Sequence, residues 1–273
     1  MNYLARKTRG KSRPGRLRLL DELLARREGD LLTMKEGDWD SAVVVDVGLG
    51  ACPWTTLELA SVCHRCNPDL AIVGVDNDPV RVKTAQRYES EGVRFLEGVF
   101  AYPVDGAARL VRAMNLLRQY PDELRDSALA ALARPLLPGG LLVEGCTDRT
   151  GDTVVARLYR LHQPTVEERR IRLEGILFAT SFRRGFAPAM FRSFLARDRL
   201  WTQGAGKEFL AAWIRAWEQE RADVAVGSSQ TDSELFFRSA NRLGENLAGT
   251  PFGVESDPTG WANGQMIWRA NLG

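Results

Sequence analysis

The residues best placed to do chemistry lie between Val43 and Thr56. A β-branched run, Val43–Val45, delivers an acid, Asp46, into a turn that contains Gly48 and Gly50, and Pro53 then opens a helix-like stretch. Glycines permit tight turns and let a ligand approach the backbone closely. Proline suits the first position of a helix, because its ring presets φ and its missing N–H is not needed there. The helix N-terminus that follows offers free N–H groups to an anionic ligand group. A second acid, Asp76, ends the apolar run Ala71–Val75, 28 residues beyond Gly48. A carboxylate in that position can accept both hydroxyls of a ribose. A third run, Val93–Leu96, leads into Glu97, Gly98, Val99 and Phe100, and Pro138-Gly139-Gly140 forms an expected turn before a further run, Leu141–Val143. Each feature alone fits an ordinary β–α connection; in this order and spacing they describe a nucleotide-type site.

The elements that must hold these residues alternate in character. Short β-branched runs (Val43–Val47, Ala71–Val75, Val93–Leu96, Leu110–Met114 and Leu141–Val143) are separated by helix-like stretches at Pro53–Cys66, Pro79–Glu91 and Pro121–Leu136. Strands buried on both faces read as continuous Val/Ile/Leu, and intervening helices make parallel crossovers. The expected fold is therefore α/β, a Rossmann-like doubly wound, mostly parallel sheet. Two later runs, 153–161 and 171–182, are joined by a short polar loop and predict an antiparallel hairpin at one edge. From Pro188 the chain reads as helices over 188–198, 205–222 and 231–247. A Gly/Pro/Asn-rich tail follows, ending in the run Gln265–Arg269. Upstream, Leu17, Leu20, Leu23 and Leu24 share one face of a helix that runs on toward Leu32. The expected organisation is a basic arm with its helix (1–40), a core domain (41–182) and a helical C-terminal extension (183–273).

Taken together, Asp46-x-Gly48-x-Gly50, the acidic loop at Asp76-Asn77, the loop Glu97–Phe100 and the segment Leu136–Glu144 resemble the class I S-adenosylmethionine-dependent methyltransferases. The resemblance covers roughly residues 41–182. It implies S-adenosylmethionine as cofactor, with the methionine moiety held at Asp46, Gly48 and Gly50. The ribose falls to Asp76 with Asn77 beside it, and the adenine to Gly98 and Val99. Asn115, which ends the fourth run, approaches the methyl group. Two positions depart from the family pattern: Cys52 stands where a third glycine is common, and Gly98-Val99 replaces the usual Gly-Asp. The implied activity is methyl transfer to a small-molecule, lipid or glycan acceptor. RNA methylation through the basic arm, and S-adenosylmethionine binding without catalysis, remain open. No catalytic residue is nominated among the available polar groups Tyr102, Tyr120, Glu144, Asp148 and His162, because an activated donor needs mainly positioning. Acceptor choice is expected to reside in Arg183–Gly273.

Other patterns carry less. A dinucleotide dehydrogenase would want a third glycine where Pro53 stands. Residues 5–12 copy the end of a phosphate-binding loop, but its first glycine is Ala5 and no strand precedes it. Cys63 and Cys66 have the spacing of half a zinc site with no second pair, so burial as small apolar residues is expected and no metal is assigned. Trp201, Trp213 and Trp217 are candidates to line a substrate pocket, but Trp213 and Trp217 are four apart and share a helical face, which suits core packing better. The chain has 273 residues, 44% hydrophobic and 26% charged, with four cysteines. That composition excludes a disulfide scaffold and bulk disorder, and no run of 18 apolar residues suggests a membrane span. A cytoplasmic location with reduced thiols is expected. Net charge is +2, yet residues 1–18 hold seven cations and no acid, leaving −5 on the remainder. A basic arm of this kind can hold phosphates.

Overall fold

The computed structural model describes residues 10, 12–99, 107–163, 165, 168–195, 204–223, 230–248, 250 and 252–270. Contacts divide the chain into two compact units, Met1–Cys146 with Ala156–Leu173, and Thr147–Val155 with Glu174–Gly273. The division differs from the expected one in two ways. The N-terminal helix belongs to the first unit rather than standing apart, because its apolar face is buried there. The second boundary falls within strands, before residue 182.

In the first unit, β1 (Val43–Val47), β2 (Ile72–Asp76), β3 (Val93–Glu97), β4 (Ala108–Met114) and β5 (Leu136–Thr147) are ordered β3-β2-β1-β4-β5. All four pairings are parallel. The architecture is Rossmann-like. β1 and β2 are buried along their whole length, as their Val/Ile runs require. β3 lies at the edge and accordingly exposes Arg94 and Glu97. The order continues through β6 (Thr153–His162) and β7 (Arg170–Thr180). The β5–β6 and β6–β7 connections are short, and a parallel pairing needs a dozen residues or more, so both pairings are antiparallel; the second is the expected hairpin, and the first was not expected.

Side chains on the two faces of the sheet do different work. Val43, Val45 and Val47 pack with Val111, Ala113, Leu132 and Leu142 in one apolar core, covered by α5 (Arg125–Ala133). The opposite face meets α3 (Trp54–Cys66), against which α1 (Arg18–Arg27) packs. Leu19, Leu20, Leu23 and Leu24 of α1 are buried. The expected single helix from Leu17 to Leu32 is broken: Glu28 leaves helical geometry, and α2 (Gly29–Thr33) starts afresh at a poor helix former. α4 (Pro79–Ala85) is likewise shorter than expected and closes with a 3₁₀ turn, Gln86–Tyr88.

The Pro138-Gly139-Gly140 segment is not a turn before a strand. It lies inside β5, where register jumps from Ala108↔Leu136 to Leu110↔Leu141, and Gly139 takes a left-handed φ of 88°. The extra residues form a bulge. A side chain on Gly140 would lie 2.9 Å from the Leu137 carbonyl oxygen and 3.1 Å from that of Arg109.

In the second unit β7 pairs with β9 (Gln265–Ala270), and β9 with β8 (Phe252–Val254), both antiparallel. The expected helix at 188–198 is a 3₁₀ turn, Pro188–Phe191, followed by α6 (Arg192–Leu195). α7 (Ala205–Ala222) and α8 (Asp232–Leu247) match their expected spans, and the tail adds α9 (Pro258–Ala262). The unit's core is aromatic. Trp213 stacks on Phe191 with ring centres 5.5 Å apart, packs edge-on against Phe178 and Phe236, and donates its indole N–H to Ser239 Oγ at 3.1 Å. No described helix is long and apolar enough to cross a membrane.

Candidate functional site

Reversal of strand order between β1 and β4 opens a crevice at the carboxyl ends of the parallel strands, the usual ligand position in such sheets. The Gly48–Ala51 turn enters it. Gly48 (φ 96°) donates its N–H to the Val75 carbonyl at 2.7 Å, which ties the turn to β2. Gly50 (φ 74°) donates to Asp76 Oδ2 at 3.1 Å. Ala51 donates to the carbonyl of Gly10, at 2.6 Å. Gly10 thus lies against the glycine turn, and a side chain on Gly50 would press on Gly10 and Ser12. Pro53 is the residue capping α3 rather than its first helical residue.

Asp76 ends β2 and is buried. Besides Gly50, it accepts the Asp78 N–H at 3.0 Å, and the Arg81 guanidinium reaches it at 3.5 Å and Asp78 at 3.6 Å. Asp78 caps α4 by accepting the Val80 N–H at 3.0 Å. The same Arg81 guanidinium lies against Gly10, leaving no room there for a side chain. The acid expected to meet a ribose is therefore held in place by two backbone donors and shielded by a cation.

Gly48, Asp76, Asn77, Gly98 and Val99 converge on one cleft, closed by Val47, Val75, Leu116 and Tyr120. It holds about 20 Å³ of free space, room for about one water molecule. The other three expected site residues stand outside its lining. Gly50 orients Asp76 from behind. Asn115 follows β4 directly with a left-handed φ of 59°, donating to the Gly145 carbonyl at 2.7 Å and accepting from Gln119 at 2.9 Å. That backbone state is uncommon outside glycine and is tolerated best by Asn.

Asp46 takes a part the motif does not announce. Its two oxygens accept a fork from Arg112 Nε and Nη2, each at 2.9 Å, and Oδ2 also accepts Thr56 Oγ1 at 2.6 Å. Arg112 further donates to the Thr55 carbonyl at 2.8 Å and to Asp21 on α1. Asp46 therefore holds β1, β4 and α3 together, and it does not line the cleft. Burial pushes Asp21 up to about 6, against the pull of Arg112. Burial also opposes the charge on Arg112, but Asp21 and Asp46 overcome it and keep the guanidinium protonated.

The remaining sequence candidates separate cleanly. Tyr120 lines the cleft, Glu144 pairs with Arg157 at 2.8 Å, and Asp148 accepts the N–H groups of Gly151 and Asp152 in a tight turn. Cys63 is buried, and that burial pushes its thiol up to about 12, as for an inert small apolar residue; Cys66 is half-buried. Tyr102, Trp201, Arg6, Lys7, Arg9 and Lys11 lie outside the described residues. Sequence reasoning missed Arg81, Leu116 and Gly10. Arg81 could have been found from its place two residues after Pro79, one turn along the helix from Asp78; Gly10 carried no signal.

No family model and no curated protein matches the chain. Solved structures similar to it include magnesium protoporphyrin IX methyltransferase from Synechocystis PCC 6803 with bound SAH. That protein is 18% identical over 49% of this chain and 55% of its own, with a TM-score of 0.37. A SAM-bound amino pentose methyltransferase from Micromonospora echinaspora is 22% identical over 63% of this chain and 72% of its own, at a TM-score of 0.34. A sugar N-methyltransferase from a Streptoalloteichus species is 20% identical over 63% and 69%, at 0.36. The chain spans between 30% and 55% of the first structures it matches.

Proposed function

We propose that the first unit binds S-adenosylmethionine and that the chain is a methyltransferase acting on a small-molecule, lipid or glycan acceptor. The reading is carried by one observation: residues from three separate β–α connections (Gly48, Asp76 with Asn77, and Gly98 with Val99) line a single cleft at the carboxyl ends of parallel strands. The donor set fits the group, with an acid at the end of β2 for a ribose, left-handed glycines beside it and apolar walls for a ring. When bound, the donor supplies a methyl group already activated on a sulfonium. Asp76 would accept the ribose hydroxyls, and Gly98 and Val99 would face the adenine. Asp46 fixes the turn through Thr56 and Arg112. Val47, Val75, Leu116 and Tyr120 exclude water, which strengthens local electrostatics and suppresses hydrolysis. Positioning of this kind supplies much of the rate in a displacement on an activated donor. Admission of a donor requires the narrow cleft to widen. Acceptor choice is assigned in this reading to Arg183–Gly273.

Calorimetric titration with S-adenosylhomocysteine tests it. Micromolar binding is expected, weakened by about 1.5–3 kcal/mol in Asp76→Asn, the range for hydrogen bonds to a charged group. Unchanged affinity in a variant that keeps its thermal midpoint, or preferential binding of NADH, overturns the reading. A second reading, RNA methylation, rests on the seven cations of residues 1–18. A donor complex with no turnover on any acceptor class favours a binding protein instead.

A further inference from the structure

The second unit holds a pocket of its own, about 640 Å³, which is within the range of small-molecule sites. Its lining includes Phe186, Trp217, Arg221 and Gln230, with Arg184 and Asp232 at hand. The sequence pairs Trp213 and Trp217 on one face of α7, but the structure separates their roles. Trp213 is fully buried in the aromatic core, whereas Trp217 is half-buried and faces the pocket.

Three features there are unusual for a structural cavity. The Trp217 indole N–H is buried without a hydrogen-bond partner among the described residues, and so are both ends of the Gln230 amide. Such groups are costly to leave unmet, and here they gather on the residues of one pocket. Arg221, one helical turn after Trp217, lays its guanidinium over the indole with Cζ 4.8 Å from the ring centre. Among the described residues no carboxylate pairs with it, whereas Arg184 has Asp148 and Asp152 within 3.8 Å. The pocket therefore combines two guanidiniums, of which Arg221 has no carboxylate partner among the described residues, and the Asp232 carboxylate with an amide, an indole and the apolar surfaces of Phe186 and Leu235.

We infer that this pocket is a binding site for an organic anion with an aromatic or other flat apolar body, a carboxylic acid above all. The carboxylate would meet Arg221, whose planar fork matches it. The Gln230 and Trp217 donors would complete its hydrogen bonds, and the ring would lie against Phe186. The site is contained in one unit and stands independently of the donor cleft.

Ligand titration of the full chain by calorimetry, with biphenyl-4-carboxylate as probe, tests the assignment. Biphenyl-4-methanol and biphenyl-4-methylamine serve as neutral and cationic controls. The carboxylate is expected to bind at least tenfold more tightly than either control. Arg221 is exposed, so Arg221→Gln should fold normally and lose that preference. Gln230→Leu removes an unmet amide: it should raise the thermal midpoint while weakening carboxylate binding several-fold, a combination that a merely structural glutamine would not give. Equal binding of all three probes, no binding at millimolar concentration, or a charge preference that survives both substitutions overturns it. S-Adenosylhomocysteine affinity should be the same in both variants, so failure here leaves the donor reading standing.

Discussion

Arg112 lies between two carboxylates with only one guanidinium to share. Asp46 takes its bidentate edge, and Asp21 receives a single donor while its second oxygen stays buried without a described partner. That asymmetry explains why burial wins at Asp21 and raises it to about 6. Between about pH 4 and 6 the folded chain holds a proton that the unfolded chain has already released. Stability contributed by this group is present at the acid end of the window and is lost as pH rises through 6. The shift amounts to about 3 kcal/mol at most. Denaturant midpoints of wild type and Asp21→Asn, compared at pH 4.5 and 7.5, should therefore diverge, with wild type losing stability relative to the variant as pH rises. A constant difference across the window would show that Asp21 is ionised throughout. The acid in the Asp46-x-Gly48-x-Gly50 motif was legible in the sequence. Its partner was not, because Arg112 is brought beside it by strand order and both its neighbours, Val111 and Ala113, read only as an apolar run.

Bulges decide more at the level of elements than strand propensity does. The extra residues Leu137–Gly140 in β5 face the irregularity in β4 between Ala108 and Leu110, and Arg109 escapes the ladder there. Its guanidinium reaches the carbonyls of Leu31 (2.8 Å), Met34 (3.0 Å) and Ala42 (2.8 Å), closing the end of α2 and the entry to β1. Alanine at position 140 would press on two carbonyl oxygens. Gly140→Ala should cost roughly 1–3 kcal/mol, as overpacking does, read as a shifted denaturant midpoint with unchanged slope; a neutral result would mean the bulge yields. The five parallel strands and their order of motifs were readable from Val/Ile runs, and so were α7 and α8 from their length and periodicity. The bulge was not, since Pro-Gly-Gly serves a turn and a bulge equally well. Nor were β8 and α9, which span three and five residues and are too short to show a period.

Charge is distributed unevenly over the molecule as a whole, with seven cations before residue 19 and a net −5 after it. If the arm grips RNA, affinity should fall steeply between 50 and 200 mM salt, because each neutralised phosphate releases counterion. A chain beginning at Leu19 should then lose RNA binding and keep its affinity for S-adenosylhomocysteine. Filter binding that is absent, or indifferent to salt, assigns the arm no such role.

The hydrogen bond from Ala51 to Gly10 has a kinetic consequence. In the proposed reading it sets the Gly10 carbonyl against an N–H of the glycine turn, so an entering donor would meet an occupied seat. On that reading only molecules in which this hydrogen bond is broken would be ready to accept, and observed affinity would fall by that fraction. Association rates should then stop rising with ligand concentration once breaking it becomes the slow step. Stopped-flow mixing with S-adenosylhomocysteine should show such a ceiling for the full chain. Deleting residues 1–12 should remove it and tighten binding, and a linear dependence in the full chain would mean that the Ala51–Gly10 bond does not limit entry.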